Sequence, residues 1–131
     1  MAHHPSVEDV TDDVVDWERL RVVREMCARW PERDRWPEML AMFLQDAEER
    51  VRQLGEAVES GDAGLVRDLA HSLKGSSATF GTPALHGLCH RLESMAGRGD
   101  LDVAPDLVRA LERACASVEH VLAPTAERSV R

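Results

Sequence analysis

The chain has no tyrosine, and only three tryptophans and two phenylalanines among its 131 residues. Ala, Leu, Val and Met must therefore supply the core, a composition that leans towards helix packed on helix. Basic residues are in deficit, with 16 Lys and Arg against 24 Asp and Glu and a formal net charge of −8. So acidic a chain repels nucleic acid and anionic lipid, and neither is expected as a partner. No apolar run approaches the length of a membrane span. The N-terminus lacks the basic-then-apolar layout of a signal peptide, and a cytoplasmic address is expected. Cys27, Cys89 and Cys115 are odd in number and widely spaced, each within an amphipathic pattern. They are read as small, reduced core residues.

What is present is enough for one domain with a core that needs no disulfide or metal. Residues 1–13 are acidic and aperiodic, and are expected to form a flexible N-terminus; His3 and His4 are given no role. From Asp16 the pattern turns helical, with Trp17, Leu20, Val23 and Cys27 at three- and four-residue steps, until Pro31. Asp34 is the expected N-cap of a long helix from Trp36 to Val58 whose stripe is Leu40, Phe43, Leu44, Ala47, Val51, Leu54 and Val58. "ESGDAG" breaks it, and a third helix is expected from Ala63 to Phe80. Gly81 reads as its stop, and Thr82-Pro83 as N-cap and first residue of a fourth helix carrying Leu85, Leu88, Leu92 and Met95. After "AGRGD" a fifth runs from Val103 to Leu122, closed by Pro124, with a flexible tail over residues 124–131. No strand alternation and no internal repeat appears. Short polar turns between long helices predict an all-α, antiparallel up-down four-helix bundle over residues 14–123, with the short first helix covering an end or flank.

The third helix raises a question, because "LAHSLKGSSATFG" (residues 69–81) holds a glycine and two serines, Gly75, Ser76 and Ser77, in its middle. At about 100° per residue, Leu65, Val66, Leu69, Leu73, Ser76 and Phe80 cluster opposite His71. Lys74, Gly75 and Ala78 fall on the His71 side. The core stripe and the His71 stripe thus lie on opposite faces. A mid-helix glycine costs about 1 kcal/mol relative to alanine. One turn after His71, Gly75 removes bulk beside the imidazole and lets another molecule come close. A neutral imidazole is a good nucleophile near pH 7, and the Lys74 ammonium one turn away is suited to neutralise charge on a transferring phosphoryl group. "KGSS" is not a phosphate-binding loop, and neither a kinase signature nor a nucleophile elbow is present. The pattern describes a phosphate carrier without an ATP site of its own.

The stretch "AHSLKGSSATFGTPALHGLCHRLE", Ala70 to Glu93, closely resembles the signature of histidine-containing phosphotransfer (HPt) domains of bacterial phosphorelays. The resemblance implies a four-helix bundle whose exposed histidine takes a phosphoryl group from one receiver-domain aspartate and passes it to another. By position it makes His71 the phosphoacceptor, Lys74 its charge partner and Glu93 the group that hydrogen-bonds the imidazole from the next helix. His90 corresponds to a second histidine that joins the same network in some relatives. Gly75 and Ala78 become docking positions. The implied partners are the receiver domain of a hybrid histidine kinase, a response regulator, or both. They would supply the acidic pocket and Mg²⁺, so the chain itself, a monomer, needs no cofactor.

Two other readings compete. His86 and His90 lie one turn apart with Cys89 and Glu93 close by, a spacing that can place two imidazoles together for zinc. Cys89 points to the core side, however, and no metal-ligand motif supports the set, so no metal is expected. The bundle could instead bind a kinase or receiver as a non-catalytic scaffold without carrying phosphate. The intact His71, Lys74 and Glu93 set argues against that, because a scaffold has no use for it.

Overall fold

Helices form wherever the apolar period runs. In the computed structural model, which describes residues 14–129, they are α1 (Trp17–Ala28), α2 (Trp36–Ser60), α3 (Ala63–Thr79), α4 (Pro83–Gly97) and α5 (Ala104–Ser129). No strand occurs among the described residues. The expected N-terminal segment 1–13 lies outside them. Asp16 caps α1 by accepting the Arg19 backbone N–H at 3.1 Å, and Asp62 caps α3 by accepting that of Leu65 at 3.1 Å. Each supplies an acceptor to a first-turn donor that has none within its helix. Asp34 works one place earlier than expected. Arg35 holds the N-cap position of α2, and Asp34 Oδ1 takes the Trp36 N–H at 2.8 Å.

Helices α2 to α5 close a ring in which each packs on both neighbours, and α1 packs on α2 and α3. This is the up-down bundle with a flanking N-terminal helix. Its centre is aliphatic: Leu40, Leu54, Leu73, Leu92 and Leu111 are at most 1% exposed, and each buried leucine contributes about 2 kcal/mol of transfer free energy. Trp36, Phe43 and Phe80 form one aromatic cluster. Phe43 and Phe80 stack at 4.3 Å, 6° from parallel, and Trp36 tilts against Phe80 at 6.2 Å. Cys27, Cys89 and Cys115 are free thiols, the first two buried and the third half-buried.

Three expectations need correction. The buried stripe of α3 is Val66, Ala70, Leu73 and Ser77, followed by the buried Phe80 at its C-cap; Leu65 is 45% exposed and Ser76 only half-buried. The core axis is thus turned by roughly 40° from the point diametrically opposite His71, because α3 sits between two neighbours and faces their common seam.

Pro124 does not end α5, and residues 124–129, expected as a flexible tail, are helical. Proline removes the N–H that the His120 carbonyl would accept. The next turn is fastened all the same. The buried Thr125 hydroxyl donates to the Leu122 carbonyl at 2.6 Å and accepts the Trp36 indole N–H at 3.2 Å. Thr82 occupies the N-cap position of α4 without capping it. Its hydroxyl turns back and donates to the Ser77 carbonyl at 3.0 Å, joined there by its own backbone N–H at 2.9 Å.

Candidate functional site

The tight turn at Phe80–Thr82 sends α4 back along α3, which brings the two polar flanks together. His71, its side chain 69% exposed, meets Glu93 of α4 with Nδ1 to Oε1 at 3.1 Å. A carboxylate only accepts, so Nδ1 carries the proton and donates, and Nε2 keeps its lone pair on an exposed ring. The same contact fixes the ring's orientation. Lys74, one turn further along α3, places Nζ 2.8 Å from Glu93 Oε2. That oxygen is shut off from solvent, with the ammonium as its close partner. The Lys74 ammonium foremost, opposed by partial burial and assisted by the His71 hydrogen bond, holds the Glu93 carboxyl below its ordinary 4.5. Glu93 therefore stays ionised and braces two cationic or proton-donating groups at once.

The geometry joins three of the four residues assigned to the chemistry and leaves one out. His90, a turn before Glu93, is exposed and makes no hydrogen bond or ion pair among the described residues. The direct pairing of Lys74 with Glu93 was not expected from sequence. Both residues flank the α3–α4 seam, but the spacing across a seam leaves no mark in the one-dimensional pattern. Gly75 and Ala78 are both exposed on the His71 side. A Cβ on Gly75 would meet nothing within 4 Å. No internal contact requires glycine there, so its helix penalty is not offset by anything within the chain.

Among the described residues, no group of three or more His, Cys, Asp or Glu side chains is placed to hold a metal ion. The histidine-cysteine set of α4 is split by the packing. Cys89 is fully buried, with its thiol pushed up to about 12 chiefly by burial, and Glu93 is drawn to Lys74. Among the described residues, no helix is long and apolar enough to cross a membrane.

The chain is similar to proteins of known family and structure. The family profile described as Hpt domain matches residues 38–121. Phosphorelay protein LuxU from two strains of Vibrio vulnificus, YJ016 and CMCP6, is 33% identical over 81 residues, covering 61% of this chain and 70% of LuxU. The crystal structure of histidine-containing phosphotransfer protein B (HptB) from Pseudomonas aeruginosa PAO1 superposes with a TM-score of 0.81 at 37% identity, over 87% of this chain and 95% of that one. A profile spanning well over half the sequence, and a bundle shared nearly end to end, establish that the chain belongs to the Hpt domain family.

Proposed function

We propose that this chain relays a phosphoryl group between receiver-domain aspartates through a phosphohistidine at His71. The Nε2 lone pair attacks the phosphorus of an aspartyl phosphate, the P–O bond to the aspartate breaks, and the aspartate leaves as a carboxylate. The proton on Nδ1 stays where it is. The ring then becomes cationic, and Glu93, already at Nδ1, is in place to stabilise it before any rearrangement is needed. Lys74 neutralises Glu93, so that its charge does not repel the incoming phosphoryl oxygens. Transfer onward reverses the same steps. In this reading the acidic pocket and its Mg²⁺ belong to the partner, and the chain works as a cytoplasmic monomer without a cofactor. The observation that supports it is the 3.1 Å brace between His71 Nδ1 and Glu93 Oε1 on an exposed ring.

Incubation with phosphorylated receiver domains tests it. The wild-type chain should acquire acid-labile, alkali-stable phosphate. His71→Gln should acquire none, at unchanged helicity and melting temperature. Binding of a receiver without labelling of the wild type would instead make the bundle a scaffold.

A further inference from the structure

Two helical turns from the His71–Glu93 brace, the α3–α4 seam opens into a cavity of about 260 Å³. The register is matched on both helices. Ala78 follows His71 by seven residues on α3, and His86 precedes Glu93 by seven on α4, about 10 Å of helix in each case. Both Ala78 and His86 line the cavity, together with Asp16 and Arg19 of the α1 entrance, Ser77 and Thr82.

The cavity holds donors with little to satisfy them. The Arg19 guanidinium and the His86 imidazole make no hydrogen bond or ion pair among the described residues. The 15-residue helix α4 starts here without a side-chain cap, since the Thr82 hydroxyl is committed to Ser77. Its first residue, Pro83, has no N–H, so the unpaired donors lining the cavity are the Arg19 and His86 side chains. Ser77 lies beneath the cavity, but its Oγ is sealed from solvent and is not offered to an occupant. The one carboxylate present, Asp16, already accepts the Arg19 N–H as the α1 cap.

We infer that this cavity receives a carboxylate side chain of the docking receiver domain, with Arg19 and His86 as its donors. The inference rests on the relay reading. The occupant must come from the molecule that reaches His71, because a typical protein interface of about 800 Å² per partner extends about 16 Å from its centre. Anything docked on His71 at that scale covers a cavity about 10 Å away. Charge selects the occupant: the Arg19 guanidinium, on an otherwise acidic chain, complements an acidic side chain and disfavours a basic one. The contact lies away from the transferring phosphoryl group, so it acts on which receiver docks and how tightly.

The test is transfer kinetics. Receiver domains of the source organism are phosphorylated and assayed on the wild-type chain, and the one that labels it fastest is kept. Arg19→Glu, and on the other helix His86→Glu, should each raise KM for that phosphorylated receiver at least tenfold, the loss falling on KM rather than on the rate at saturation. Circular dichroism checks that both variants stay folded. Among Asp/Glu→Arg variants of the receiver, one should restore transfer to Arg19→Glu within threefold of the starting pair. A KM within twofold of wild type for both variants, a loss confined to the rate at saturation, or the absence of any restoring receiver variant overturns the inference and leaves the relay reading standing. If no receiver labels the wild-type chain, the relay reading falls first and the inference with it.

Discussion

Glu93 divides one carboxylate between two partners, and the division can be tested at single side chains. Oε1 takes the His71 N–H, and Oε2 faces the Lys74 ammonium. Lys74→Met keeps most of the stem packing and removes only the charge. Glu93 Oε2 then loses its counter-charge while still shielded from solvent, and the Glu93 carboxyl should titrate higher than in the wild type. The sign for stability follows. A carboxyl held below 4.5 in the folded chain contributes stability at higher pH and loses it as pH falls through the folded value. In Lys74→Met that contribution shrinks. Acid unfolding should begin at a higher pH, with a loss of about 1 kcal/mol near neutrality. Carboxyl NMR titration and urea melts at pH 7 and pH 4 measure both; unmoved Glu93 titration would show that the ion pair is absent in solution. Of this site, His71, Lys74 and Gly75 were legible in the sequence because one helix carries them at known angles. Glu93 was legible only through the resemblance, and its second contact not at all, because it depends on how deeply α4 settles against α3.

The α3 helix carries a glycine, Gly75, at its middle and is ended by another, Gly81, and the two should respond to substitution in opposite directions. Gly75 faces open space, so Gly75→Gln should stabilise the fold by up to about 1 kcal/mol through helix propensity. The same side chain would stand beside His71 and slow phosphoryl transfer, as measured against an unchanged receiver. Gly81 has φ of +64°, and a Cβ there would lie 2.7 Å from the Asp16 carbonyl oxygen. Its own carbonyl accepts the Asp16 N–H at 2.6 Å. One turn thus both stops α3 and fastens the entrance of α1.

Gly81→Ala should cost about 1–2 kcal/mol from backbone conformation alone, and the clash should speed hydrogen exchange across α1 before the other helices. Uniform protection loss over all five helices would show that α1 is not separately anchored. Element ends were readable where the deciding group is local, as at Gly81 and Asp62. The start of α4 was placed correctly, although the Thr82 hydroxyl serves α3 instead of capping α4; the end at Pro124 was misread, where the choice was made by a partner far along the chain. Thr82 bonds back across the turn to Ser77, and the turn after Pro124 is held by an indole 89 residues away in sequence.

For the molecule as a whole, the scarcity of aromatics concentrates stability in one place. Three of the five aromatic residues are Trp36, Phe43 and Phe80, and they tie the start of α2 to the end of α3. Through the Thr125 hydroxyl, Trp36 also reaches the last turns of α5. The bundle's architecture was legible from stripe and turn length, since short connections leave few ways to pair long amphipathic helices. The hub was not, because Phe80 was readable as facing the core but Trp36 sits at a helix boundary, where periodicity gives no direction for a side chain. Elsewhere the core is Leu, Val and Ala, which leaves little volume able to collapse around a lost ring.

Phe43→Ala should therefore cost about 3–5 kcal/mol, a large share of the 5–15 kcal/mol typical of a folded domain. A satellite contact would lose less and fray only the neighbouring turn. The distinction is measurable in urea: a hub predicts one cooperative transition, shifted to lower denaturant with its slope preserved. His71 should keep accepting phosphate for as long as the population remains folded, because the ring and its Glu93 brace lie on the α3–α4 seam and touch none of the three aromatics. Loss of labelling at denaturant concentrations where the helices remain intact would mean that the aromatic end of the bundle sets the geometry of the phosphoacceptor as well as the stability of the fold.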